Sequence, residues 1–151
     1  MPMMVIVFVI ALMGSISVLF LPEKEAAAEA FKSEVKAVNM LAYKSAVLTY
    51  LNANPAFSGQ VADGSITLPT GMVRDARWVS VVSNRVLYVF EQTPSNSRGL
   101  LDIIYKKTNN SILVGTSNGS FLVNAKGYTT GVPIPALSPA IPTGAIVIIG
   151  R

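Results

Sequence analysis

Residues 23–52 read EKEAAAEAFKSEVKAVNMLAYKSAVLTYLN, a stretch of thirty residues that contains neither glycine nor proline. Ala, Glu, Lys and Leu dominate it, and all four are strong helix formers. Pro22 stands where a helix begins, and Pro55 follows where it must end. The stretch therefore predicts one long helix.

This helix changes character near its middle. In the first half a charged stripe lies opposite an apolar stripe; the charged members are Glu25, Glu29, Lys32 and Lys36, and the apolar members are Phe31, Val35, Val38 and Ala42. From Met40 to Leu51 apolar side chains surround the helix, and Lys44 carries the only charge. Because a helix that is apolar all round is normally buried, we expect an amphipathic neck at 23–39 and a single globular domain at 40–151 with the second half of the helix as its spine.

Residues 3–21, MMVIVFVIALMGSISVLFL, carry no charged side chain. As a helix they would rise roughly 28 Å, close to the ~30 Å of a bilayer core. We therefore predict a transmembrane helix at 1–22, with the lipid bilayer as a partner. Ala11 and Ser15 could contact a neighbouring membrane helix, although two small residues facing lipid explain the spacing equally well. The alternative is a secreted domain with a cleaved signal, since Ala26–Ala28 offers a cleavage site; the long apolar run and the lack of a basic n-region favour the retained helix.

The remaining sequence predicts one antiparallel sheet. A short strand is predicted at 65–68, followed by a hairpin at 77–82 and 85–91 with a turn at Ser83-Asn84. A helix is predicted at 97–108, and a second hairpin at 112–117 and 120–124 with a type I′ turn at Asn118-Gly119. An extended proline-rich segment at 132–142 and a buried last strand at 145–149 complete the chain. The expected fold is α+β and pilin-like: the N-terminal transmembrane helix continues into a long helix packed on the antiparallel sheet, with one further short helix.

Composition excludes many kinds of chemistry. The chain has no cysteine and no histidine, which removes disulfides, zinc sites built on these residues, and mechanisms with a Cys nucleophile or a His base. The acidic residues beyond the neck are separated in sequence; they are Asp63, Asp75, Glu91 and Asp102. Its 12 basic residues are scattered rather than clustered. We expect no catalytic residue, metal, cofactor, small-molecule substrate or nucleic-acid partner, and the alternative is a secreted hydrolase that uses these carboxylates.

Two features are candidates for a partner surface. Trp78 is the only tryptophan and lies in a predicted strand, where a core position is the more common one. Four prolines fall within residues 132–142, and Pro133, Pro135 and Pro139 are the candidate contacts for an aromatic groove on another protein. A structural strap over the surface is the preferred interpretation of this segment, because a buried strand follows it.

Several short motifs, taken in order, resemble the PilM family of thin (type IVb) pilus systems. They are Leu68-Pro-Thr-Gly71, Trp78, Leu87-Tyr-Val-Phe90, Gly99-Leu-Leu101, Ser111-Ile-Leu-Val-Gly115, Asn118-Gly-Ser-Phe-Leu122 and Ile141-Pro-Thr-Gly-Ala-Ile-Val147. Each motif is common by itself, and their order and spacing over the full length carry the resemblance.

The resemblance implies a non-enzymatic, single-pass protein of the bacterial inner membrane that acts as a scaffold or basal-body component of pilus assembly, also in conjugation systems. Its partners would be other pilus-assembly proteins and pilin, and its domain would be periplasmic. Lysines after the apolar run favour the cytoplasmic side instead. A minor pilin-like subunit is the alternative role, although the chain shows no basic leader and no glutamate within residues 3–21.

Overall fold

The computed structural model describes residues 2–94 and 98–150, with side chains from residue 25 to 94 and from 99 to 150. The predicted long helix is confirmed as part of α1 (Pro2–Ala53). Among the residues searched in the described part of the chain, no helix is both long and apolar enough to cross a membrane. The predicted span at 1–22, with Ala11 and Ser15, lies outside the residues whose side chains are described.

The second half of α1 packs on the domain through one face. Ala37, Met40, Tyr43 and Val47 are fully buried, as expected for the spine. The prediction that this half is buried all round is wrong, because Ser45 and Thr49 on its far side are exposed. The helix therefore lies on the sheet as an outer layer.

The described residues form seven strands in one sheet. These are β1 (Gly59–Gln60), β2 (Trp78–Ser83), β3 (Val86–Glu91), β4 (Val114–Ser117), β5 (Phe121–Val123), β6 (Thr129–Pro133) and β7 (Ile146–Gly150), with a 3₁₀ turn at Asp63–Ser65 and a second helix, α2 (Arg98–Lys107). The strand order is β1-β2-β3-β7-β4-β5-β6, and every neighbouring pair is antiparallel. The C-terminal strand β7 is therefore inserted at the centre, which confirms the prediction that it is buried.

Both faces of the sheet are covered. Strand side chains alternate, so that Val89 and Ile148 join the cluster with α1 and α2, whereas Phe90 and Val147 point to the other face. There Leu137 and Ile141 of the proline-rich segment pack against them. The segment thus lies across the second face, in agreement with the strap interpretation.

The turns differ from the sequence-based prediction. The first hairpin is confirmed, but its two central residues are Asn84 and Arg85, with φ of 51° and 63°. Positive φ at both positions is the mark of a type I′ turn. At Asn118-Gly119 only Gly119 has positive φ, and the Asn118 side-chain oxygen accepts hydrogen bonds from the amides of Ser120 and Phe121. This second connection is a three-residue loop held by the asparagine side chain.

Short strands account for the remaining errors. The predicted strand at 65–68 is wrong, because Ser65 ends the 3₁₀ turn and the following residues are loop. The pair Gly59–Gln60 lines up with Val82 and Val81 instead. The edge strand β6 begins three residues before the predicted extended segment. Both missed strands are edges, where weak apolar alternation leaves little signal.

Candidate functional site: an apolar groove beside the neck helix

The charged stripe of α1 reaches back to the sheet. Lys36 Nζ donates a hydrogen bond to Glu91 Oε1 at 2.7 Å and lies 3.9 Å from Asp75 Oδ2. Glu91, at the end of β3, is fully buried. Two carboxylates that are far apart in sequence therefore meet around one ammonium group. The contact ties the neck helix to the sheet.

A second set of ions holds the loop before β2. The Arg77 guanidinium donates side-chain hydrogen bonds to Asp75, which lowers the pKa of that carboxyl to about 2. Arg74 pairs with Asp63 and donates to the Trp78 carbonyl. A carboxylate with so low a pKa is a poor proton acceptor near neutral pH. This geometry suits holding a loop in place better than acid–base chemistry.

Aromatic side chains lie beneath these ions. Trp78 is 1% exposed, and its ring centroid lies 6.0 Å from that of Tyr43. The Tyr43 hydroxyl and Ser80 Oγ are 3.0 Å apart and share a hydrogen bond. The guanidinium carbon of Arg74 lies above the Tyr43 ring, 5.3 Å from its centroid. Trp78 is therefore a core residue that also lines a surface groove.

This groove lies between residues 31–39 of α1 and the loop 73–75. Its volume is about 450 Å³, and its lining consists of Phe31, Lys32, Val35, Lys36, Asn39, Val73, Arg74, Asp75 and Trp78. Val73 is 77% exposed and Phe31 is 68% exposed. The groove thus offers large apolar side chains to solvent beside Lys36, Arg74 and Asp75, each of which has an ion-pair partner.

The apolar stripe of the neck lies on the side of the helix opposite its buried residues. Phe31 and the buried Met40 are nine residues apart, which is two and a half turns at 3.6 residues per turn, so they point in opposite directions. Val35 and Val38 follow Phe31 on this side and are 43% and 46% exposed. We call Phe31, Val35, Val38 and Val73 the neck surface. The sequence predicted the apolar stripe but did not predict that it is exposed to solvent.

The structure does not bring the predicted partner residues together. Trp78 belongs to the cluster on the helix side of the sheet, whereas the proline-rich segment packs on the opposite side. Pro133 is exposed at the end of β6, and Pro135 and Pro139 are half-buried. The four residues therefore do not form one surface. Among the described residues no group of three or more acidic side chains could hold a metal ion.

This chain is similar to known proteins in sequence and in fold. The PilM family profile matches residues 7–149, almost the entire chain. The chain belongs to the PilM family. This family is associated with pilus biogenesis, and the resemblance seen in the sequence is thereby confirmed.

Two crystal structures of proteins described as PilM are similar to this PilM-family chain. That from Escherichia coli B7A has a TM-score of 0.56 and 20% identity, covering 82% of this chain and 93% of that one. That from Pseudomonas aeruginosa 2192 has a TM-score of 0.44 and 30% identity, covering 78% and 95%. A comparison with curated proteins gave no match. The first likeness supports the fold.

Proposed function

We propose that this PilM-family chain is a non-enzymatic scaffold or basal-body component of pilus assembly. Residues 1–22 would anchor it in the bacterial inner membrane, with the domain in the periplasm, where it would bind other pilus-assembly proteins through the neck surface. The observation that carries this proposal is the exposure of four large apolar side chains on and beside one helix. Contiguous exposed apolar patches are typical of protein interaction sites.

The ionic groups around the groove support a contact role over catalysis. Lys36 contacts both Asp75 and Glu91, and Arg74 contacts Asp63 and the Trp78 carbonyl. Charges arranged in this way stabilise the fold and fix the position of the groove walls. They would also hold the domain at a defined angle to the neck, which suits a scaffold.

The role of the neck surface is tested with one variant on that surface and one control variant at an exposed isoleucine elsewhere. Val73→Asp places a charge on the groove rim, and Ile112→Asp does the same on a residue that is 63% exposed outside the neck surface. Each variant is expressed in cells that lack the chromosomal copy, and pili are counted by electron microscopy with protein amounts checked by immunoblot. We expect at least a tenfold loss of pili for Val73→Asp and near-normal counts for Ile112→Asp.

Two outcomes would overturn the proposal. Normal piliation in cells without the chain would remove its role in assembly, and normal piliation with Val73→Asp at normal protein amounts would remove the role of the neck surface. Membrane placement is tested separately by a C-terminal fusion to a reporter that is active only in the periplasm. An inactive, stable fusion would refute the periplasmic assignment.

The long helix packed on an antiparallel sheet is also the plan of a pilin-like subunit. That observation favours a minor subunit of the filament as the second candidate function. Mass spectrometry of the N-terminus decides between them, because a filament subunit of this kind is processed. An intact N-terminus on the protein from cells that carry pili would exclude the minor-subunit role.

A further inference from the structure

The groove beside the neck helix combines apolar surface with positive charge. Its exposed apolar side chains are those of Phe31, Val35 and Val73. Three basic side chains and one acidic side chain also line it; they are Lys32, Lys36, Arg74 and Asp75. The lining therefore carries a net positive charge beside its apolar area.

Lys32 differs from the other basic residues of the lining. Lys36 and Arg74 each have a carboxylate partner within the domain. Lys32 is exposed, and among the residues that the structure describes no carboxylate lies within ion-pair distance of it, including that of Glu29 three residues earlier. An exposed lysine of this kind can pair with a carboxylate that another molecule brings.

The lining residues also include buried hydrogen-bond donors. Trp78 Nε1 and Arg74 Nε are shielded from solvent and have no acceptor in the described part of the chain. Buried donors are normally paired, and an unpaired one costs free energy. Both nitrogen atoms can only donate. The occupant that suits this lining therefore supplies acceptor oxygens rather than donors.

We propose that the groove binds a short acidic and apolar segment of another pilus-assembly protein. A large apolar side chain of that segment lies between Phe31 and Val73, and an aspartate or glutamate beside it pairs with Lys32. The inference rests on the proposed function, which makes the partner a component of pilus assembly. The helical wall of the groove, residues 31–39, is about 12 Å long, which suits a short segment.

Charge complementarity selects this occupant over two others. A basic segment would bring like charges to the edge of the groove, which is unfavourable. A second copy of the chain in a symmetric contact would present the same patch, so two positively charged linings would meet. An acidic segment instead gains an attraction to Lys32 while its apolar side chain covers the exposed valine and phenylalanine.

Photocrosslinking in cells tests the groove in the full chain. The photoreactive residue p-benzoylphenylalanine is incorporated in place of Val73, or in place of Ile112 outside the neck surface as the control. The crosslinked peptide is then sequenced by mass spectrometry. We expect the adduct at position 73 to contain a large apolar residue and an acidic residue within about one helical turn of each other. The control position should give little of this adduct.

Charge reversal at Lys32 provides the sharper measurement. Lys32→Glu should lower the yield of the adduct by roughly threefold or more, because an attraction becomes a repulsion. Lys32→Arg should preserve the yield, and so should Lys126→Glu, which reverses an exposed lysine outside the groove. Changing the acidic residue of the identified segment to lysine should restore the adduct with Lys32→Glu.

Several results would overturn the inference. They are the absence of an adduct at position 73, an adduct with a lipid or with a second copy of this chain, an unchanged yield with Lys32→Glu, or no restoration by the reciprocal reversal. Loss of pili with Val73→Asp, together with an adduct that ignores the charge at position 32, would refute the acidic segment alone. A charge-sensitive adduct, together with normal pili in cells lacking the chain, would refute the proposed function alone.

Discussion

Removing the ammonium group of Lys36 should destabilise the domain more than any other single change on the neck. Lys36→Met keeps most of the side-chain length and removes the charge 2.7 Å from Glu91 Oε1. Glu91 is fully buried, whereas the Lys36 side chain is 21% exposed. The variant therefore removes a positive charge from beside a carboxylate that is fully buried.

The magnitude follows from the geometry. Charges roughly 3.5 Å apart attract by about 5 kcal/mol at an effective dielectric constant of about 20. Breaking a buried pair from one side typically costs about 3–5 kcal/mol. Because Lys36 is partly in contact with water, we expect the lower end, about 3 kcal/mol. At a urea slope of about 1–3 kcal/mol/M, the midpoint should fall by roughly 1–3 M.

Trp78 makes the assay direct. It is the only tryptophan, is 1% exposed, and pairs across the sheet with Glu91. Its fluorescence therefore reports the unfolding of the domain in the full chain, solubilised in mild detergent. Lys32→Met removes an exposed lysine one turn earlier on the same stripe and should change stability by less than about 0.5 kcal/mol.

A double-mutant cycle completes the test. Glu91→Gln keeps the shape of the side chain and removes its charge, so the loss from Lys36→Met should shrink in that background. We expect the double variant to be at least 1 kcal/mol more stable than the sum of the single effects predicts. A loss below about 1 kcal/mol for Lys36→Met, or strict additivity in the cycle, would refute the claim that this pair joins the neck to the sheet.

Three further predictions concern the stability of the domain and use the same unfolding assay. Asp75→Asn should cost about 1 kcal/mol at pH 7 and much less near pH 2, because a carboxyl whose pKa is lowered to about 2 gives stability above about pH 4 that is lost as the pH falls through 2; equal effects at both pH values would refute it. Gly115→Ala should destabilise by more than about 2 kcal/mol, since its Cβ would lie 2.1 Å from the Val123 carbonyl oxygen, whereas Gly64→Ala has open space and should be nearly neutral. Burial lowers the pKa of Lys44, so its charge opposes folding, and Lys44→Met should raise the urea midpoint; a lower midpoint would contradict this.

The long helix and the central strands could be predicted because their signals are local. Residues 23–52 lack helix breakers, and the runs that form β2, β3 and β7 are rich in β-branched and aromatic residues. Alternation along such strands fixes which side chains share a face. The place of β7 between β3 and β4 is a long-range property, and no local pattern specifies it.

The candidate site was harder to predict for the same reason. Lys36 and Glu91 are 55 residues apart in sequence, and their contact depends on how the helix lies on the sheet. Trp78 stood out as the only tryptophan, yet the exposed member of its neighbourhood is Val73. A single valine in a loop of glycine and arginine carries no periodic signal that would mark it.

The orientation of the neck helix links its charge pattern to its proposed partner. A helix lying on a domain normally turns its apolar stripe inward and its charges outward. Here Lys36 of the charged stripe points inward to Glu91, and Phe31 and Val35 of the apolar stripe point outward. Turning the helix over would bury the valines but would separate the ion pair and leave the Glu91 carboxylate without its lysine. The ion pair and the buried Met40 and Tyr43 together fix the orientation, and the apolar stripe remains exposed until a second surface covers it. A partner bound to the neck surface, as proposed above, would supply that cover without disturbing the contact between helix and sheet.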